Sequence, residues 1–514
     1  MIWRSPLSDI EVPDQPLSAF VLADARARAD KPALIDGPSG RTITYGELAT
    51  GVRAFAAGLA ARGFQPGEVV GIHSPNLPEY ALAFHGIASA GGAVTTSNPL
   101  LTARELSSQL TAASARFLLT VPPFAETAVA AAKEAGVEEV FVFGEADGLT
   151  PVRDLFGDPG AAPDLQIDLD EHVVALPFSS GTTGLPKGVM LTHRNLTTNI
   201  AQAHALLATS ESDVVIGVLP FFHIYAMTVI MNMTLRYGAT VVTMPRFDLE
   251  QFLRLHQDYG VTRSYIVPPI VLALAKHPLV DQFDLSALDV VMSGAAPLSG
   301  ELSEAAAVRL DCTVLQGYGL TETSPVTHVN PRERNKPGSI GVLLPNTEAK
   351  IADLDTGEEL PAGERGEVCI RGPQNMKGYL NNPDATAAMI DEDGWLHTGD
   401  VGMVDNEGYF SVVDRVKELI KYKGFQVAPA ELEALLLEHP QITDAAVIGR
   451  PDEEAGEIPV AYIVGEGLTA DAVMQFVSER VAPYKKVRAV EFIDQIPKSA
   501  SGKILRRELI AAER

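Results

Sequence analysis

Residues 178–189 read Phe-Ser-Ser-Gly-Thr-Thr-Gly-Leu-Pro-Lys-Gly-Val. The segment follows a strand-like apolar run and precedes a helical pattern. Glycines and hydroxyls crowd Ser179, Ser180, Gly181, Thr182, Thr183 and Gly184, so a loop here presents many backbone and side-chain donors. Such a loop can wrap phosphate oxygens, and Lys187 adds a positive charge. It is not a Walker A loop, because Pro186 precedes the lysine and Gly188 follows it. A Gly/Ser loop without function is the alternative.

Four further segments carry candidate chemistry. In Gln316-Gly-Tyr-Gly-Leu-Thr-Glu322, Gly317 and Gly319 permit close approach of backbone to a ligand. Tyr318 could stack on a planar base, Thr321 offers a hydroxyl, and the Glu322 carboxylate could hold Mg²⁺. In Gly394-Trp-Leu-His-Thr-Gly-Asp400, the aspartate could accept two adjacent ribose hydroxyls or be a plain turn residue. Arg415, Lys417, Lys421 and Lys423 cluster in Asp414–Gln426, as a surface patch or an anion-handling hinge. In Pro497-Lys-Ser-Ala-Ser-Gly-Lys-Ile-Leu-Arg506, one of two late basic stretches in an acidic chain, Lys503 could reach another domain's cleft or lie in solvent. His223 stands between apolar aromatics in Phe-Phe-His-Ile-Tyr225, where a satisfied core histidine is the ordinary outcome.

Other chemistries fail on spacing or charge. There is no G-x-S-x-G elbow, no H-E-x-x-H and no Cys/His ligand cluster in the sequence pattern. With 66 acidic against 40 basic residues and a formal charge of −26, a nucleic-acid partner is disfavoured. Any phosphate site must then be built locally from positioned donors. Two cysteines, Cys312 and Cys369, cannot make a disulfide framework, which fits a reducing cytoplasm. The N-terminal residues lack the basic-then-apolar order of a signal peptide, and no apolar run is long enough to span a membrane.

The elements that hold these segments follow from periodicity. At 514 residues, more than one domain is expected. Strand-like runs at 173–178, 214–219, 240–244, 264–267, 290–292 and 313–315 alternate with helical patterns, with Thr192 capping a helix through Leu207. The pattern predicts mostly parallel, helix-covered α/β sheets. Short strands and turns from Pro337 to Tyr379 predict a small antiparallel, β-barrel-like part. From about Asp414 a mixed α+β pattern resumes, with helices opening at Pro429 and after Thr469. The expected domains are residues 1–414 and 415–514.

Taken in this order, the five segments resemble the core motifs of the adenylate-forming (AMP-binding) superfamily over nearly the whole chain. Leu419-Ile-Lys-Tyr-Lys-Gly-Phe-Gln-Val-Ala-Pro-Ala-Glu431 is similar to its 4-coumarate:CoA ligase and luciferase-like branch. The resemblance implies a large N-terminal domain and a mobile C-terminal lid turning at Lys417. Ser179 to Thr183 and Lys187 would bind the ATP phosphates. Gln316, Gly317 and Tyr318 would hold the adenine beside Ala295. Thr321 would touch phosphate, Glu322 would bind Mg²⁺, and Asp400 and Arg415 would bind ribose. Lys503 would bridge the acid and the α-phosphate during adenylation. Lys421 and Gln426 would contact the adenylate, whereas Lys423, Gly424 and Arg246 would lie near coenzyme A. His223, Tyr225, Gly294, Ala295, Gly317, Pro325 and Val326 match acid-pocket positions. Tyr225 could hydrogen-bond a phenol, and glycines 294 and 317 leave room for a flat ring or an acyl chain. No carboxylate near His223 is available for an α-amine, so amino-acid substrates are disfavoured. The implied reaction is ATP- and Mg²⁺-dependent ligation of a carboxylic acid to coenzyme A. A hydroxycinnamate-like aryl acid is expected, with a medium-chain fatty acid or a carrier-protein thiol as the alternatives. A monomer or small homo-oligomer is expected.

Overall fold

A computed structural model describes residues 1–179, 186–416, 418–423, 425–452, 455–481, 483–499 and 502–512. Local signals in the sequence position many of its elements. The Thr192 hydroxyl accepts the Asn195 N–H at 3.2 Å and the Asn195 side chain accepts the Thr192 N–H at 2.9 Å. This reciprocal cap starts helix His193–Leu207. Helix Pro429–Leu437 opens on its proline, and Thr469 caps helix Ala470–Ser478.

The alternating strands form two nine-stranded sheets. In the first, Thr313–Gly319, Val290–Ser293, Arg263–Ile266, Val214–Gly217, Thr240–Thr243 and Pro32–Asp36 run parallel in that spatial order. Antiparallel strands Val326–Val329 and Val342–Leu343 extend it beyond Thr313–Gly319. The second sheet is built around Val69–His73, whose five residues are all buried. A strand covered on both faces must be apolar throughout, which is why these segments lack alternation. One hydrophobic core joins both sheets through Phe55, Phe84, Ile200, Ile216 and Val291.

Two local arrangements differ from the sequence expectation. By sequence, the Gly/Ser-rich segment after Ser179 is expected to precede a helix directly. Strand Lys187–Thr192 intervenes and pairs antiparallel with Phe178–Ser179, Ser179 facing Lys187. Its Val189 and Leu191 are buried, so the segment gains more from the sheet than from an added helical turn. The second difference is the apolar run after Tyr225, which forms a buried π-helix, Ala226–Met233. Within it the Asn232 side-chain amide donates to the Met227 carbonyl at 2.8 Å, which satisfies a buried polar group.

The part expected to be barrel-like is a five-stranded antiparallel sheet in the order Ile2–Arg4, Glu348–Ala352, Gly366–Arg371, Leu396–Val404, Phe410–Arg415. Its apolar face buries Ile351, Val368, Ile370, Val404 and Phe410. Strand Leu396–Val404 shifts register against its neighbour between Glu367 and Cys369, which accommodates Thr398, Gly399 and Asp400 as a bulge. The C-terminal strands Ile420–Tyr422, Phe425–Val427, Ile442–Asp452, Gly456–Gly465 and Ala489–Phe492 form a separate sheet with its own cores. Among the described residues, no helix is long and apolar enough to cross a membrane.

Candidate active site

The hairpin and the first sheet bring Ser179, at the edge of the Gly/Ser-rich segment, to Glu322. The Ser179 hydroxyl donates to Glu322 Oε1 at 2.9 Å, and the Tyr379 hydroxyl donates to the same oxygen at 2.7 Å. Glu322 is buried at 6% exposure, and it has no ion-pair partner among the described residues. A buried carboxylate so placed is a fitting oxygen ligand for a hard cation such as Mg²⁺. The Lys187 ammonium lies 4.8 Å from the centre of the Tyr379 ring, because strand Gly378–Tyr379 pairs with Lys187–Thr192. Ser180, Gly181, Thr182 and Thr183 lie outside the described residues.

A second group forms around the bulge. Asp400 Oδ2 accepts the Tyr318 hydroxyl at 2.6 Å, and Oδ1 faces Arg415 Nε at 3.1 Å. Burial pushes the Asp400 carboxyl up, while Arg415 and the Tyr318 hydroxyl pull it back. Burial and the neighbouring Asp400 charge hold the Tyr318 phenol well above its ordinary range, so its proton stays on the hydroxyl as donor. Gln316 acts differently from a side chain reaching for a base. Its Oε1 accepts the Leu298 N–H at 2.6 Å and its Nε2 donates to the Ser339 carbonyl at 2.7 Å. With both ends committed, what Gln316 contributes is the position of the 295–298 loop. In that loop Ala295 is exposed with φ of 67°, a left-handed conformation uncommon for a residue with a Cβ. Thr321 begins the short turn Thr321–Thr323 that carries Glu322.

Lys503 belongs to the C-terminal sheet region yet faces this group. Its turn is closed by the Ser499 N–H to the Lys503 carbonyl at 2.8 Å. At Gly502 an added Cβ would lie 3.2 Å from Val267, so the turn abuts the N-terminal residues directly. Burial lowers the Lys503 ammonium, with Arg415 adding to the effect; Glu418 and Asp400 oppose it. Arg506, three residues on, fixes the turn. It pairs with Glu418 at 2.8 Å and with both oxygens of Glu433 at 2.7 and 2.8 Å. By contrast, no contact among the described residues joins Lys421, Lys423 or Arg246 to the Glu322 and Asp400 groups. All three are exposed. Lys417 and Gly424, and the side chain of Gln426, lie outside the described residues.

The chain as a whole is similar to known proteins. The AMP-binding enzyme family matches residues 21–380, and the AMP-binding enzyme C-terminal domain matches residues 431–503. The chain is 46% identical to 4-coumarate–CoA ligase 1 of Solanum tuberosum, over 99% of this chain and 96% of that protein. It is 45% identical to a 4-coumarate–CoA ligase of Pinus taeda, over 99% of this chain and 97% of that one. The chain belongs to the AMP-binding enzyme family. Within that family it falls in the 4-coumarate–CoA ligase branch, and it is an enzyme. Its structure superposes on the anthranilate CoA ligase AuaEII in complex with anthranoyl-AMP with a TM-score of 0.89 at 27% identity, covering 98% and 99% of the two chains. ATP-bound MatB from Rhodopseudomonas palustris gives 0.87 at 28% identity, covering 96% and 98%. The adenylate-forming fold, a large N-terminal part and a smaller C-terminal one, is thus shared.

The acid-pocket candidates of this family member cluster around the π-helix. The Tyr225 hydroxyl donates to the Met292 carbonyl at 3.1 Å, so only its oxygen lone pairs remain to meet a substrate phenol. His223 Nδ1 accepts the Tyr225 N–H at 3.3 Å, and burial pushes the imidazole down to about 4. The ring is therefore neutral, with its proton on Nε2. Glycines 294 and 317 do not leave open slots beside their α-carbons, as the sequence suggested. A Cβ on Gly294 would meet the Tyr225 ring at 3.1 Å, and one on Gly317 would meet Met292 Cε at 2.3 Å. The two glycines instead admit Tyr225 and Met292. Pro325 and Val326 are buried beside them.

Sequence reasoning missed Tyr379, Met292, Glu418 and Arg506. Each acts through a partner far along the chain, and although Glu418 and Arg506 fall in segments singled out from the sequence, neither was given a role there. Arg506 alone carried a signal, as one of the C-terminal basic residues facing an acidic background.

Proposed function

We propose that this enzyme is an ATP-dependent carboxylic acid–CoA ligase that activates a hydroxycinnamate-like aryl acid through its acyl-adenylate. The observation that carries the reading is the Lys503 turn, seated against Val267 and electrostatically coupled to Asp400 and Arg415. Identity to 4-coumarate–CoA ligases over 99% of the chain supports the acid class and the thiol acceptor. The required substrates are ATP with Mg²⁺, the acid and coenzyme A.

In this reading Asp400 and Arg415 hold the ribose, and Tyr318, with the Ala295 loop that Gln316 positions, borders the adenine. Ser179 to Thr183, Lys187 and Thr321 hold the phosphates. Glu322 would hold Mg²⁺, which supplies charge neutralisation at the phosphates when bound. The acid carboxylate attacks the α-phosphorus and pyrophosphate leaves. This brings one anion onto another, so a fixed cation beside the forming bond lowers the barrier. Lys503 is that cation. The acid lies along Tyr225, His223, Gly294, Gly317, Pro325 and Val326. In the second step the coenzyme A thiol attacks the acyl carbonyl, its proton is lost to solvent, and AMP leaves.

The two steps need different groups at one carbonyl, which calls for a moving part. Residues 415–514 serve as the lid and residues 1–414 as the body, turning at Lys417. The separate C-terminal cores and the gap between the two family matches, 380 to 431, support that division. Turned, the lid withdraws Lys503 and presents Lys421 and Gln426 to the adenylate, with Lys423, Gly424 and Arg246 near coenzyme A. A cytoplasmic location goes with the unpaired cysteines Cys312 and Cys369.

The test is pyrophosphate release with 4-coumarate and with octanoate, each with and without coenzyme A, while thioester is followed. Thioester with 4-coumarate and little with octanoate is expected. Octanoate as the better acid would move the substrate to the aliphatic class, and pyrophosphate without thioester would point to a carrier-protein thiol.

A further inference from the structure

Behind the Asp400 bulge, the same antiparallel sheet gathers a thiol, an imidazole and two carboxylates. Cys369 and His397 are directly opposed in the ladder, so their side chains share a face. Glu367, two residues before Cys369 on the same strand, points to that face too. Cys369 Sγ lies 3.5 Å from His397 Nδ1, and Glu367 Oε2 lies 2.8 Å from the same nitrogen. One ligand atom from each of the three falls within 4.8 Å of the others. Asp391 Oδ2 faces the other ring nitrogen at 3.4 Å.

A structural hydrogen bond explains only part of this. One imidazole nitrogen has one in-plane proton or lone pair, yet a carboxylate and a thiol both converge on it. A single proton on that nitrogen satisfies one of them and leaves the thiol a long contact of 3.9 Å to the Glu367 carbonyl, whereas a cation satisfies all three. The distances agree with that. A tetrahedral ion with bonds of about 2.3 Å to sulfur and about 2.0 Å to nitrogen sets the two atoms about 3.5 Å apart. Separating the carboxylate and nitrogen to about 3.3 Å, as the same geometry requires, is a small side-chain adjustment. Asp391 is placed as the second carboxylate that orients a ligating histidine. His397, Glu367 and Asp391 are partly exposed, so an ion has a path from solvent to the buried sulfur.

We propose that Glu367, Cys369 and His397 form a binding site for a thiophilic divalent cation of the Zn²⁺ class, separate from the Mg²⁺ site at Glu322. Thiolate and imidazole select such an ion over Mg²⁺ or Ca²⁺, which prefer oxygen ligands throughout. The site also touches the reaction's scaffold. Glu367 Oε1 accepts the Gly399 N–H at 2.9 Å, so the same carboxylate would ligate the ion and hold the bulge next to Asp400.

Co²⁺ serves as the spectroscopic probe, titrated into chelator-treated full-length protein. A thiolate-to-cobalt charge-transfer band saturating at one equivalent, and erased by competing Zn²⁺ but not by Mg²⁺, is expected. The band should survive in C312S and vanish in C369S, and H397Q should weaken Co²⁺ binding by at least about tenfold. Metal-free melting curves establish first that each variant is folded, and the H397Q affinity decides between site and no site should C369S fail to fold. No band in the unaltered protein, an undiminished band in C369S, or wild-type affinity in H397Q would each overturn the site.

Discussion

Among single residues, Lys503 is the one whose charge is most contested: burial works against its ammonium while Asp400 and Glu418 work for it. Its charge therefore comes at an energetic cost in the absence of substrate, and a carboxylate meeting an α-phosphate relieves it. Lys503→Ala should lower pyrophosphate release by on the order of 10²–10³ or more, as removal of a preorganised charge does. Thioester formation from supplied acyl-AMP should continue. Equal loss of both half-reactions, measured side by side, would contradict an adenylation-only role. Lys503 and Glu322 could be nominated from the sequence because their motifs are local. Tyr379 was not, since its hydroxyl reaches Glu322 only through pairing of Gly378–Tyr379 with Val189 and Met190.

Among the elements, strand Thr313–Gly319 carries two glycines with different duties. A Cβ at Gly319 would fall 1.8 Å from the Pro325 carbonyl oxygen, a backbone atom with nowhere to go. At Gly317 the nearest atom is the tip of Met292, which can rotate aside. Gly319→Ala should destabilise the protein by about 2 kcal/mol or more, with adenylation falling alongside. Gly317→Ala should leave the urea midpoint closer to that of the unaltered protein, while changing the ratio of activities on different acids through Met292. Equal midpoints for the two variants would refute the distinction. The sequence marked both positions as glycines that let the backbone approach a ligand, whereas in the fold the Pro325 carbonyl and the tip of Met292 are what approach. The Pro325 contact depends on the antiparallel strand Val326–Val329 folding back, and the Met292 contact on the parallel neighbour Val290–Ser293. Strand Lys187–Thr192 was missed for a related reason: six residues with a buried side at Val189 and Leu191 look alike as strand or helix until the sheet edge is present.

For the molecule as a whole, the large shared core has an electrostatic consequence. Burial pushes His73, His223 and His256 down to about 4, and His85, His193 and His328 down to about 3. These groups are neutral when folded but protonate near their ordinary pKa when unfolded. Below that value the unfolded state binds more protons, so stability is complete above about pH 6.5 and falls as the solution is acidified. Six such groups give a limiting slope of about 8 kcal/mol per pH unit. Asp414 and Glu433, raised by burial to about 6 and about 7, act in the opposite sense over part of this range. A melting temperature that drops steeply between about pH 6 and 4.5 is expected, and a flat profile there would show that the histidines gain protons without unfolding. Residue order alone was enough for the family, for most of the alternation of strands and helices, for the capped helix starts, and to nominate the segments that carry Lys187, Glu322, Asp400 and Lys503. Those depend on neighbours a few residues apart, so spacing reports them. It took the folded chain to show that Gln316 spends its amide on Leu298 and Ser339, that Gly294 and Gly317 admit Tyr225 and Met292, and that Cys369 meets His397. Those contacts join separate strands and loops, and sheet register, which local sequence does not encode, chooses them.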